Sequence, residues 1–252
     1  MLRGYAQLDR RTRNRVDELM SIFQTSSVDE LGKQKGVNLE KHTNQRDPQA
    51  RTIRVSDNLR GIVCDLGDND RHVLHEILPH DQAEDWMRRN QFRANEKTGA
   101  LEVLDVDVIE SMIAQAPKSA PDAGAMFAHR ADKEFRQLGI DPNLVPALRA
   151  FTSDDQLQAL FAALPETQAN ALILLTGDES TEAIFAEIAG DFEPDSIKTD
   201  DLAAALDTPA SKAMYRLVAD ENELREMLAR PLAQWRTFLH HSQDGIAYKP
   251  TF

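Results

Sequence analysis

Between residues 6 and 31 the apolar positions fall on one helical stripe, with Val16, Leu19, Met20 and Phe23 spaced i, i+3, i+4 and i+7. This spacing predicts one amphipathic helix, or two in series, ended by Gly32. Its outer face carries Arg10, Arg11, Arg13 and Arg15. Past Asp47-Pro48 the pattern becomes extended: Ile53 and Val55 alternate within Arg51 to Ser56, Asp57-Asn58 marks a turn, and Leu59 to Leu66 follows. A second turn at Gly67-Asp68-Asn69 leads to Val73 to Leu78, so three strands in a meander are expected. Pro79-His80-Asp81 then opens a short helix through Trp86 and Met87. Phe92 to Ala94 and Leu101 to Leu104 flank a turn at Lys97-Thr98-Gly99, and a helix carrying Val108, Ile109, Met112 and Ile113 closes this part.

The segment from Ala116 to Gly124 holds two prolines, a glycine and almost nothing to bury, which is the composition of a linker. The expected organisation is therefore an α+β domain over 1–115, a linker over 116–124 and an all-α domain of short helical hairpins over 125–230, with 231–252 apart. Within the helical part, Ser153 and Gln156 have capping-box spacing ahead of Leu157, Leu160, Phe161 and Leu164. Pro165 suits the first turn of the next helix, Gly177 its end, and Thr181 to Ile188 supplies another before Gly190. A brief extended piece at Tyr215 to Val218 and a helix from Glu221 to Arg230 are expected to follow.

Composition narrows the class. With 41% hydrophobic and 28% charged residues the chain can bury a substantial core. It has no run of eighteen apolar residues and no apolar leader, so no membrane partner and a cytoplasmic location are expected. Cys64 is the only cysteine, which excludes an intramolecular disulfide and a thiolate zinc cluster, and its apolar neighbours Ile62 and Val63 read as core. The net charge of −13 opposes nucleic-acid binding, but its distribution is uneven. Residues 1 to 60 hold twelve Lys/Arg against eight Asp/Glu, whereas residues 116 to 252 hold twelve against twenty-two. Basic surface is thus expected only at the front, where Arg10, Arg11, Arg13 and Arg15 would join Arg51, Arg54 and Arg60 of the strands if the helix crosses the sheet edge. The competing reading is a solvated helix face paired locally with Asp9, Asp17 and Glu18.

Several quoted stretches carry a family likeness. Helix, three-stranded meander, short helix and final strand, in that order, resemble the RelE/ParE toxin fold. Asp47-Pro48 through Arg51, Arg54 and Leu59-Arg60, then His75 to Asp81, then Asn95 to Asp105, resemble the toxin-like domain ahead of the ATPase in some bacterial UvrD/Rep-type superfamily 1 DNA helicases. Leu138-Gly139-Ile140 through Val145-Pro146 to Arg149, and Leu172 to Ser180, resemble the helical region between that domain and the motor. The last stretch, Pro231 to Phe252, resembles the segment with which such motors begin, where a Leu-x-x-x-Gln element sets a glutamine against adenine; Leu239 and Gln243 hold those places. The resemblance implies an accessory region of an ATP-dependent helicase, with ATP and Mg2+ as cofactors of the full-length enzyme, the motor domain as partner in cis and DNA as the substrate. Gln243 would be the adenine-binding residue in that context.

The chain itself contains no G-x-x-x-x-G-K-S/T phosphate loop, so it is expected to need no cofactor and to have no ATPase activity. No catalytic residue is assigned. Where toxins of the resembled fold place basic or aromatic groups for RNA cleavage, this chain has His80-Asp81 and Asp85-Trp86, and two carboxylates there would repel a phosphate. His80 reads as a helix-capping side chain with general-base chemistry as the alternative. Asp65, Asp68 and Asp70 lack calcium-loop spacing, and His72 and His75, three apart on a strand, point to opposite faces, so no metal is expected. A stand-alone RelE/ParE-like toxin, acting as mRNA endonuclease or gyrase inhibitor, and a protein-interaction module using the acidic helical domain remain the alternatives.

Overall fold

The computed structural model describes residues 8–26, 28–33, 36–37, 39–67, 71–115, 124–161, 163–193 and 198–215. The linker composition at 116–123, the extended piece beyond Tyr215, the helix expected at 221–230 and the terminal segment with Gln243 lie outside them. The described chain is α+β, with small antiparallel sheets among many short helices. It divides into two compact units, one built from residues up to Arg89 and the other spanning Asn90–Tyr215.

In the first unit, α1 (Arg10–Thr25) starts at Asp9, whose carboxylate accepts from the Thr12 amide at 3.0 Å and the Thr12 hydroxyl at 2.8 Å. The cap satisfies one of the orphan donors of the first turn. The helical stripe then breaks at Ser26, in extended conformation, and resumes as α2 (Val28–Lys33), so the two-helix alternative is the one adopted and Gly32 lies inside the second helix. Strands β1 (Ala50–Arg54), β2 (Leu59–Asp65) and β3 (His72–Pro79) form the expected meander in the order β1-β2-β3. Val16, Leu19, Leu31 and Val37 pack with Ile53, Val55, Val63 and Ile77 into one buried cluster, which places α1 on one face of the sheet. Each such aliphatic side chain contributes about 1.5–3 kcal/mol when fully buried. Helix α3 (His80–Arg89) covers the other face: it contacts β2 and β3, buries Ala83, Trp86 and Met87, and stacks Trp86 5.5 Å from His75. With both faces covered, Ala50, Thr52, Ile62 and Cys64 are buried along with the first cluster.

The second unit opens with the hairpin β4 (Asn90–Ala94) and β5 (Leu101–Asp105), followed by α4 (Val106–Gln115). β4 pairs with β5 about the turn expected at Lys97-Thr98-Gly99, in a sheet of its own. One expectation is corrected: the hairpin and α4, assigned to the first domain, belong to one unit with the helices that follow, so the part after residue 115 is not an independent all-α body. Leu104 of β5 and Ile109 of α4 belong to the same hydrophobic cluster as Phe127, Phe135, Leu148, Leu172 and Ile184. The unit is completed by α5 (Asp132–Gln137), a 3-10 turn (Pro142–Leu144), α6 (Val145–Leu148), α7 (Asp154–Phe161), α8 (Glu166–Leu175), α9 (Thr181–Ala189), α10 (Leu202–Leu206) and α11 (Pro209–Met214). Capping follows the sequence closely. The Gln156 side chain accepts from the Ser153 amide at 3.2 Å, Pro165 is the N-cap of α8, and Ser180 caps α9 before Gly190 ends it.

Candidate functional site

The seven arginines predicted to form one basic surface do not come together. Alternation along β1 and β2 puts Arg54 and Arg60, which are cross-strand partners, on the sheet face opposite the one α1 covers. Arg60 is held by its own turn, where its guanidinium donates to the carbonyls of Ser56 at 3.0 Å and Leu59 at 3.1 Å. Arg54 is exposed and ion-paired with Asp57. Arg51 shares the Ile53 face and is buried: it donates to the Ala50 carbonyl at 2.8 Å and meets Asp65 at 3.0 Å. It braces the start of the sheet and cannot reach a phosphate.

On α1, Arg15 bridges Glu18 at 3.0 Å and the Gly36 carbonyl at 2.6 Å. Arg13 is half-buried and its Nε has no hydrogen-bond partner. Arg10 and Arg11 remain exposed in a first turn that contains no acidic residue. Their charge therefore adds to the positive end of the helix macrodipole, with the Asp9 cap as the local counter-charge. The Thr12 amide bond, followed by the Thr12 hydroxyl, holds the Asp9 carboxyl below its ordinary value. A second basic corner went unread in the sequence: the Arg46 Nε donates to the Arg88 carbonyl at 3.3 Å, bringing Arg46 beside exposed Arg88 and Arg89 at the end of α3. Cations there complement the negative end of that helix.

Of the other residues weighed for chemistry, Asp68 and Asp70 lie outside the described residues, and the described ones occupy structural places. His80 is the first residue of α3, with Nδ1 3.8 Å from Glu84. Asp65 is the partner of Arg51. His72 pairs across from Asp65, while His75 stacks on Trp86, so the two imidazoles sit on opposite faces as expected. Burial pushes the His75 imidazole down to about 4. Among the described residues no group of three or more His, Cys, Asp and Glu is arranged to hold a metal ion, and no helix is long and apolar enough to cross a membrane.

The most concentrated buried polar chemistry lies elsewhere, around Glu102 of β5. This residue is 1% exposed. Its Oε1 accepts from Asn95 Nδ2 at 2.8 Å and from the Thr167 hydroxyl at 2.9 Å, while Oε2 accepts from Gln168 Nε2 at 2.9 Å and from Arg93 Nε at 3.4 Å. Arg93 also lies 3.7 Å from Asp141. Burial pushes the Glu102 carboxyl up, against the opposing pull of Arg93, Asn95, Thr167 and Gln168. Asn95 is fixed by the turn between the strands, since its Oδ1 accepts from the amides of Lys97 at 2.9 Å and Thr98 at 3.2 Å. Its Nδ2 also donates to the Gly139 carbonyl at 2.9 Å. Gly139 has φ +76°, and a Cβ there would stand 2.4 Å from Asn95 Oδ1, so only glycine suits the position.

No family model, curated protein or solved structure matches the chain.

Proposed function

We propose that this chain is the accessory, binding region of a UvrD/Rep-like ATP-dependent DNA helicase, with no ATPase chemistry of its own. The observation that carries the reading is the ordered series of family-like stretches, from Asp47-Pro48 through Leu138-Gly139-Ile140 to Leu239 and Gln243. The helix–meander–helix order of the first unit is consistent with it. In this reading Gln243 supplies an amide donor and acceptor to adenine, and ATP and Mg2+ belong to the motor. DNA phosphates are met by Arg10 and Arg11, the exposed cations of α1, rather than by all seven arginines.

Reading the gene beyond the codon for Phe252 is the direct test. A G-x-x-x-x-G-K-S/T motif a short distance downstream is the expected result, and a stop codon with no such motif removes the proposal. The DNA component is tested by mobility shift across a salt series. Binding should fall steeply as salt rises and weaken when Arg10 and Arg11 are both replaced by alanine; an unchanged shift assigns the contact to another surface.

A further inference from the structure

The basic corner at the end of α3 is built on a braced loop. The Gln45 amide donates to the His42 carbonyl at 3.3 Å, which closes a β-turn over 42–45 and leaves Lys41 and Arg46 flanking it. The Gln45 side chain ties the same turn together: its Oε1 accepts from the His42 amide at 2.7 Å, and its Nε2 donates to the carbonyls of Asp47 at 2.7 Å and Ala50 at 3.1 Å. His42 Nε2 lies 2.8 Å from the Thr52 hydroxyl of β1. Arg46 then joins the loop to α3, donating its amide to the Met87 carbonyl at 2.9 Å and its Nε to the Arg88 carbonyl at 3.3 Å. Lys41, Thr43, Asn44 and Arg46 of the loop are exposed, and so are Arg88 and Arg89 at the helix end.

We propose that this corner is a nucleic-acid contact that holds the phosphate backbone of a duplex without reading its bases. It needs no motor domain, so it stands apart from the helicase reading, and it is a different surface from Arg10 and Arg11.

The side chains suit that ligand. Arginine forks and a lysine supply charge-assisted donors, while the Thr43 hydroxyl and the Asn44 amide add neutral ones for phosphate and sugar oxygens. The helix end does not oppose an anion, because Arg46 occupies two of its carbonyls and Arg88 and Arg89 offset the negative end of the macrodipole. Asp47, the acid within the loop, is 1% exposed and accepts from the Gln49 amide at 2.8 Å. Glu40 precedes the loop, Asp85 is ion-paired with Arg88, and Glu84 lies 3.8 Å from His80. Four exposed cations against those three exposed acids leave the corner positive.

What the corner lacks decides the class of partner. None of its six exposed side chains is apolar or aromatic, so it offers neither the hydrophobic anchor of a protein interface nor a ring on which unpaired bases stack. Charge without an anchor fits a duplex backbone. The chain's net charge of −13 opposes any polyanion, which places the contact at low salt.

The test is fluorescence anisotropy of the whole chain with labelled DNA duplexes of two unrelated sequences, across a salt series. Both should bind alike, and log affinity should fall linearly with log salt. Lys41→Gln with Arg88→Gln should weaken binding and reduce the steepness of that line by about 2, one for each phosphate contact removed. Asp85→Asn, which removes the acid paired with Arg88, should tighten binding, a gain that a purely structural role would not produce. Lys41→Gln alone, expected to lower the steepness by about 1, keeps the test decisive where the double variant fails to fold. Affinity and slope indifferent to these substitutions overturn the proposal. So does tighter binding of a single strand of equal length, or competition by polyglutamate of matched charge as effective as unlabelled duplex. A stop codon after Phe252 would remove the helicase reading and leave each of these outcomes unchanged.

Discussion

Arg51 shows how far a residue's neighbourhood can depart from its chemical type. Its guanidinium is nearly buried, 3.0 Å from an Asp65 carboxylate that is itself 17% exposed. Removing one partner of such a pair leaves the other charge poorly solvated. Arg51→Ala is expected to lower the stability of the first unit by about 2–4 kcal/mol, read from urea denaturation, with Arg51→Lys recovering only part because it lacks the two-pronged donor set. Arg11→Ala should stay within about 0.5 kcal/mol, since the side chain is exposed and its attraction to Asp9 is solvent-screened. Equal losses at the two positions would contradict the assignment of Arg51 as a brace. The burial of Arg51 was legible in one respect: it lies two residues before Ile53 and four before Val55, so period-2 alternation already placed it on the core-facing side. What the alternation did not reveal was the pairing with Asp65, fourteen residues away, that makes the burial tolerable.

At the scale of elements, Glu134 does for α5 what Glu102 does for the hairpin, with the opposite sign. Its carboxylate takes the Ala131 amide at 2.5 Å, the Thr181 hydroxyl at 3.1 Å and Arg130 at 3.1 Å, tying the start of α5 to the start of α9. The Ala131 amide leads in holding its carboxyl below 4.5. A depressed acid contributes stability that is fully present above the unfolded value and is lost as pH falls through the folded one. Glu134→Gln is therefore expected to flatten the acid side of the stability profile, measured by chemical denaturation from neutral to acid pH. An unchanged slope would mean that other carboxylates dominate there. Arg130 completes the joint by donating to the Leu175 carbonyl at 3.0 Å and the Gly177 carbonyl at 2.6 Å, closing the end of α8. Most of these helices were legible from caps and apolar spacing, because both are local signals. Neither the Glu134 joint nor the Glu102 centre was, since their members come from separate stretches of chain; an acid inside the apolar run Leu101 to Leu104 was the single available hint.

At the scale of the whole molecule, the unit boundary is the main point on which composition and packing part. Prolines and a glycine at 116–124 give a linker's composition, but composition does not divide a core. Beyond the shared cluster, the Leu101 amide donates to Ser211 Oγ at 2.7 Å and the Thr208 hydroxyl to the Gly99 carbonyl at 3.0 Å, so the hairpin is bonded to the far end of the same unit. A fragment spanning 90–215 is accordingly expected to unfold in one cooperative transition. A fragment beginning at residue 125 would lack Leu104, Ile109, Glu102 and Asn95, and should show a broad transition with early exposure of apolar surface. Circular dichroism melts and dye binding compare the two directly. Equal cooperativity would restore the boundary to the proline-rich stretch.

Cys64 lies between Ile62, Val63 and the helix that shields the far side of the sheet, and it is the chain's sole thiol. Burial, then the negative charges of Asp47 and Asp65, push that thiol well above its usual range, so scarcely any thiolate exists while the strands stay sealed. The position is thereby a stopwatch wired into the first unit. An alkylating reagent in excess should mark the protein only as often as the sandwich springs apart, and Arg51→Ala should make that clock run faster.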